Sequence, residues 1–306
     1  MSPVQRRSRL KNLKSPKRGL GGPRFLWFLI FLFAVFLLLF LPTRFGGNLK
    51  LSMVVARETG ELVVSTFDRE GESITNILIP GSTQLDVARQ LGSWKARSIY
   101  RLGVNEGLGG SLLAETMVKN FSFPVVAWGA NEFAGFASGD LASIVKSLVS
   151  NKTNLKIGDK LRLGIFALRI KNPKRMNIDL SQGPYLKRVR LTDGEMGYTV
   201  TGVGFEKLFA VFSEPEISAK SLRVEIIDAS ANPKVAAAVG RTIEVLGAKV
   251  ASVKKEAAQE VDCTLSGKDE ILLKRLSQIY SCEEKKSPLS NFDLEIRLGK
   301  EFARRY

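Results

Sequence analysis

The chain has 306 residues, 46 Lys and Arg against 30 Asp and Glu, a formal net charge of +16, no histidine and two cysteines. Without histidine there is no Ser-His-Asp triad, and the commonest metal ligand and neutral-pH base is missing. The charge does not imply nucleic acid. Eight cations (Arg6, Arg7, Arg9, Lys11, Lys14, Lys17, Arg18 and Arg24) crowd the first 24 residues without an acid, and the rest are dispersed with no aromatic-interleaved basic motif for stacking on bases.

Residues 25–41 read FLWFLIFLFAVFLLLFL, an apolar run free of charge, glycine and proline and at the short end of what spans a bilayer as helix. The cations before it orient a single-pass anchor with a cytoplasmic tail, residues 1–24, and the bulk of the chain outside the cell membrane. A cleaved signal peptide is the nearest rival, but no small-x-small site follows the run. After a linker at 43–48, residues 49–56, 61–67 and 73–79 are apolar segments separated by turn residues, which predicts an antiparallel meander.

Apolar spacing predicts a helix over 107–120, a strand at 123–128, and helices at 138–149 and 155–170, the last stopped by Asn172-Pro173. Residues 176–203 read as strands and loops, 204–212 as a short helix and 213–221 as a linker. From residue 222 the pattern is clearer. It gives a strand at 223–228, a helix capped by Asn232 and Pro233 and stopped by Gly247, strands at 248–254 and 261–266, a helix at 269–280 and a closing strand at 293–298. That order is βαββαβ, which reads as a split βαβ sandwich with both helices on one face. On the extracytoplasmic side Cys263 and Cys282 can pair across the second helix, the alternative being two separate buried thiols.

No motif for chemistry is strong. Gly107–Gly110 and Gly202-Val203-Gly204 read as turn glycines, because no Gly-Lys-Ser/Thr and no GxGxxG accompanies them. Asp68, Glu70 and Glu72 in one turn, and Asp193 with Glu195 in another, would bind a divalent ion only if other oxygens converged on them. Arg97 and Arg101 could hold a phosphate through paired hydrogen bonds.

Residues 222–303 resemble the C-terminal domain of LytR-CpsA-Psr cell-envelope proteins. The likeness lies in Arg223-Val-Glu-Ile-Ile-Asp-Ala-Ser230, the alanine-rich helix ending at Leu246-Gly247, the Val250 strand and the closing Leu294-Glu-Ile-Arg-Leu-Gly-Lys-Glu-Phe302, although Asp228 stands where asparagine is usual. Residues 74–83, 97–116 and Phe123-Pro124 with Phe133 and Phe136 are similar to a reduced catalytic domain of the same family. That resemblance implies transfer of wall polymers from a polyprenyl-pyrophosphate carrier to peptidoglycan, with arginines and acids holding the pyrophosphate and a divalent metal. Here the Ile-Pro-Arg-Asp-Thr motif reads Ile79-Pro80-Gly81-Ser82-Thr83, so the Arg-Asp pair is Gly81-Ser82.

The expected fold class is therefore α+β. It comprises the tail at 1–24, a transmembrane helix at 25–41, a degenerate LytR-CpsA-Psr-like α/β domain at 46–212, the linker at 213–221 and a βαββαβ domain at 222–306. The expected role is a non-catalytic binding or assembly function in cell-wall biogenesis, without a cofactor. The alternative is a divergent transferase in which Arg97, Arg101, Asp68 or Arg69 replace the lost groups and magnesium is required. Expected partners are the lipid bilayer and peptidoglycan, wall polymer or other envelope proteins, with no nucleic acid.

Overall fold

A computed structural model describes residues 23–40, 49–285 and 291–306. The basic tail up to residue 22, Leu41 and the linker at 43–48 lie outside the described residues. Helix α1, Pro23–Phe40, coincides with the expected anchor. Among the described residues no helix is long and apolar enough to cross a membrane; several side chains of α1 lie outside them.

The described residues from 49 on form one compact unit. Its central sheet runs β6-β1-β2-β3-β7, built from β1 (Leu51–Ala56), β2 (Leu62–Asp68), β3 (Ser73–Ile79), β6 (Ala127–Gly129) and β7 (Arg175–Asp179). β1, β2 and β3 pair antiparallel as the apolar segments and their turn residues predict, whereas β6 and β7 join the edges in parallel. Parallel edges need crossovers, and helices supply them. α2 (Ala96–Asn105) and α3 (Ser111–Phe121) cover one face, where Val54, Val64, Ile77 and Ile79 pack on Ile99, Leu112 and Met117. α4 (Ala134–Ser138), α5 (Leu141–Val149) and α6 (Ile157–Arg169) cover part of the other, where Met53, Val55 and Phe67 pack with Phe136, Ile144 and Leu163. The expected strand at 123–128 is a strand only at β6, since residues 123–126 lie beyond the short length that pairs with β1.

A second sheet, β5-β4-β9-β8, holds β4 (Thr83–Asp86), β5 (Ser93–Lys95), β8 (Leu186–Arg190) and β9 (Met196–Val200). Phe121, Phe123, Phe205 and Phe212 fill the interior nearby, with Phe123 stacked on Phe212 at a centroid distance of 4.6 Å.

α7 (Glu206–Phe212) leads into the segment read as a linker, which carries a short helix, α8 (Pro215–Lys220). The third sheet follows, from β10 (Arg223–Asp228), α9 (Pro233–Leu246), β11 (Lys249–Lys255), β12 (Cys263–Gly267), α10 (Glu270–Tyr280), β13 (Glu283–Glu284), β14 (Leu294–Leu298) and α11 (Lys300–Arg305). Asn232 and Asp269 accept backbone N–H bonds at the starts of α9 and α10, and Gly247 closes α9 at φ +100°. The element order is the expected one, but the topology is not a split βαβ. The strand order is β11-β10-β14-β12-β13, with β10 and β11 direct parallel neighbours, so α9 crosses between adjacent strands and no strand is inserted between them. A disulfide joins Cys263 and Cys282, Cα atoms 4.9 Å apart, tying β12 to the end of α10.

The apolar core does not stop at residue 222. One cluster runs from Leu51, Met53 and Val118 through Ile217 and Leu222 to Val224, Val239 and Leu276, and Val245 of α9 joins the core that holds Phe123 and Phe212. Charge crosses the same boundary. Glu214 accepts from the Lys50 backbone N–H at 3.0 Å and pairs with Arg275 of α10, whose guanidinium also donates to the Lys50 carbonyl. The Glu214 and Arg275 side chains are 2% and 3% exposed.

Candidate functional site

The position occupied by Arg-Asp in the resembled motif lies where β3 leaves the central sheet. Gly81 there is packed tightly: a Cβ at this residue would sit 2.5 Å from the Gly60 carbonyl oxygen and 3.2 Å from Arg97 Cβ. Gly60 belongs to the β1–β2 turn, held by its own N–H to the Arg57 carbonyl at 3.0 Å, and the Arg97 N–H donates to the Gly81 carbonyl at 3.1 Å. A Cβ at residue 81 would thus require the β1–β2 turn to shift.

The four candidate charges do not converge. Asp68 and Arg69 end β2, while Arg97 packs against Gly60 just before β2 begins, so about 20 Å of strand separates them. Asp68 pairs with Lys50 at 3.2 Å and accepts from the Gly71 N–H at 2.8 Å. Arg97 reaches Glu195 at 3.3 Å, and Arg101 is exposed on α2. Asp193 and Glu195 both bind Lys95; its hydrogen bonds hold each carboxylate below its usual pKa, and theirs raise that of the lysine. Among the described residues no group of three or more acidic, cysteine or histidine side chains is placed to hold a metal ion.

A cavity of about 280 Å³ lies beside Lys95, Arg97 and Glu195, and larger ones lie elsewhere. α4, α5 and α6 cover the β6–β1 side of the central sheet and leave the β2–β3–β7 edge open, forming a cavity of about 450 Å³ with Asn76, Asn177, Arg57 and Arg175 in its lining. It shares Arg57 and Ser138 with a second cavity of about 510 Å³, which runs past Thr59 and Asn131 to Lys146. The floor is a polar ladder. Ser65 Oγ donates to Asn76 Oδ1 at 2.8 Å, and Asn76 Nδ2 donates to Asn177 Oδ1 at 2.9 Å, across three neighbouring strands.

Arg175 fixes the wall. Its Nη1 donates to the Ala137 carbonyl at 2.6 Å and its Nη2 to the Ala167 and Ile170 carbonyls, so one guanidinium closes the C-terminal ends of α4 and α6, where a cation is favoured. No carboxylate pairs with it among the described residues, and burial lowers its pKa. Gly139, at φ +76°, allows this approach, because a Cβ would strike Nη2. Carboxamides, hydroxyls and three cations, with Glu58 and Glu132 at one margin, suit a hydroxyl-rich or anionic polymer better than an apolar ligand.

Sequence reading missed Asn76, Asn177, Arg57 and Arg175. A signal was present: Asn76 interrupts the apolar strand Ser-Ile-Thr-Asn-Ile-Leu-Ile, and a polar residue on a half-covered face needs partners. Arg175 gave none, since its role depends on bringing the end of α4, 38 residues away, to the end of α6.

No protein-family model matches the chain, and no curated protein matches it. Solved structures do show likeness. B. subtilis TagV is 12% identical with a TM-score of 0.39, the match covering 55% of this chain and 98% of TagV. B. subtilis TagT is 13% identical with a TM-score of 0.40, over 56% of this chain and 92% of TagT. The LytR-CPS2A-psr family protein YwtF (TagT) with bound octaprenyl pyrophosphate lipid is 13% identical with a TM-score of 0.38, over 53% and 88%. The similar solved structures are thus LytR-CpsA-Psr proteins at low identity, matched over about half of this chain, and at these values the likeness assigns no activity.

Proposed function

We propose that the protein is a membrane-anchored envelope protein that binds a wall polymer along the Asn76–Asn177 groove and does not transfer it. The carrying observation is the closure of the Gly60 backbone over Gly81. Pyrophosphate transfer needs charge-paired donors at the phosphates, and removing them weakens binding and transition-state stabilisation together. The anchor is the helix within residues 25–41, N-terminus inside; the exposed apolar side chains of Phe25, Leu26, Trp27 and Phe28 and the eight preceding cations support it.

The test uses the full chain in lipid nanodiscs with two probes, a polyprenyl pyrophosphate with and without magnesium and a purified anionic wall glycopolymer. Polymer binding weakened about tenfold by Asn76→Ala with Asn177→Ala, and no magnesium-dependent pyrophosphate binding, are expected. Tight magnesium-dependent pyrophosphate binding that Arg97→Ala abolishes would sink the proposal and favour the divergent transferase.

A further inference from the structure

Helices α5 and α6 are amphipathic in an unusual sense. α5 buries Ile144 and Ser147, and α6 buries Leu163, Gly164 and Ala167. The outward faces of surface helices are normally polar. Here α5 turns out Leu141, Val145 and Val149 at spacings of four, 61%, 51% and 78% exposed. α6 turns out Ile157, Ile165 and Leu168, each more than two-fifths exposed, within one 80° sector of the helix wheel. Among the described residues from 49 on, thirteen large apolar side chains are exposed, and six of them belong to these two helices. The helices pack side by side where a Cβ on Gly164 would lie 3.1 Å from Ile144 Cγ2, so the two stripes occupy neighbouring surfaces.

The charge around them is mostly of one sign, the acids beside them being Asp140, which caps α5, and Glu132, which pairs with Lys152. Between residues 141 and 176 there are nine Lys and Arg and a single acid, Asp159, which is buried. Lys146, Lys156, Arg169 and Lys171 are exposed and form no ion pair among the described residues. Apolar side chains rimmed by cations match the boundary of an anionic bilayer, where acyl chains take the first and headgroups the second. A soluble polyanion would satisfy the cations and leave six apolar side chains in water. A second copy would set cation against cation.

We infer that the outer face of α5 and α6 docks on an anionic lipid surface. It is distinct from the groove, whose α5 member Ser143 lies on another side of the helix from the Leu141–Val145–Val149 stripe, with Lys146 between the two. Docking there would lay the folded unit against the membrane by a contact separate from the anchor.

Both native cysteines are in the disulfide, so Val145→Cys in the full chain offers one thiol for an environment-sensitive fluorophore, and Val253→Cys, on β11, is the control. The chain is reconstituted in vesicles of phosphatidylcholine alone or mixed with phosphatidylglycerol. A blue shift and quenching by spin-labelled lipid at position 145 are expected in the mixed vesicles only, with position 253 unchanged. Arg169→Gln and Lys171→Gln should each weaken the response about fivefold. A water-exposed probe at 145 in the mixed vesicles overturns the inference, as does an equal response in phosphatidylcholine alone. A response to soluble polyphosphate without vesicles assigns the face to a wall polymer and overturns it too. Flotation with phosphatidylcholine vesicles reads the anchor separately, so the failure of either claim is distinguishable from that of the other.

Discussion

The two ends of the central sheet treat charge in opposite ways. At the Gly81 end, where the resembled motif carries an arginine, a Cβ at residue 81 would meet the Gly60 carbonyl. At the Lys50 end, four charged groups are gathered: Lys50 holds Asp68 and Glu214, and Glu214 holds Arg275 from the third sheet. Charge at the first end would serve a ligand, whereas charge at the second joins residues 49–212 to residues 222–306. A buried ion pair contributes little to net stability but is costly to break, so it specifies one arrangement of the two parts. The segment 213–221 is accordingly a clamp, with Glu214 inside the joint and Ile217 in the core.

The sharpest way to break this comparison is to leave one partner of the clamp alone. Arg275→Ala strands the buried Glu214 carboxylate and should cost about 3–5 kcal/mol. Denaturant unfolding followed by Trp fluorescence and by circular dichroism should then lose its single shared midpoint, because the third sheet no longer unfolds with the others. Glu214→Leu combined with Arg275→Met should recover most of the loss. If Arg275→Ala shifts the midpoint by less than the equivalent of about 1 kcal/mol, the pair is not the joint described here.

The disulfide comes next and acts on the third sheet alone. Closing a loop of sequence separation 19 restricts the unfolded chain, so Cys263→Ser with Cys282→Ser should cost about 3 kcal/mol. Mass spectrometry of the intact protein checks the premise: two free thiols before reduction would refute it.

How much of this was legible follows from where each element gets its partners. α9 and α10 announce themselves through Asn232, Pro233, Gly247 and Asp269, local signals that act within a turn. The β1–β3 meander is equally readable, because its apolar segments, set apart by turn residues, face two filled layers. Pairing order was not legible. Nothing in residues 223–298 states that β11 pairs with β10 while β14 inserts between β10 and β12. The groove and the clamp stayed hidden for a related reason: Asn76 meets Asn177, and Glu214 meets Arg275, over separations of 101 and 61 residues. Gly81 was visible as a departure from the resembled motif, but only the fold sets the Gly60 carbonyl against it.

That last point gives a smaller effect. Gly81→Ala forces the β1–β2 turn away from the new Cβ and should cost about 1–3 kcal/mol, read as a lowered midpoint. Gly81→Arg should cost at least as much and should produce no magnesium-dependent pyrophosphate binding. Gain of that binding would show that the closure is easily reversed, and the comparison between the two ends of the sheet would fail.

The smallest effect concerns the cluster of Lys95, Asp193 and Glu195 beside Arg97, which sharpens the contrast because its carboxylates, unlike that of Glu214, lie in water. The hydrogen bonds from Lys95 hold Asp193 and Glu195 below their ordinary values of 3.8 and 4.5. Groups depressed on folding contribute above their unfolded pKa and lose that contribution as pH falls through the folded values, so the acid limb lies below about pH 4. Lys95 is raised above 10.5, so its share is full below that value and is lost as pH rises through the folded pKa. Solvent screens both carboxylates, and Lys95→Met should therefore change the midpoint only slightly at neutral pH while flattening both limbs. Added salt should do the same to the native protein and leave the cost of Arg275→Ala nearly unchanged, since screening reaches the surface cluster and not the buried pair. Equal salt sensitivity at the two places would mean that the Glu214–Arg275 pair is open to water.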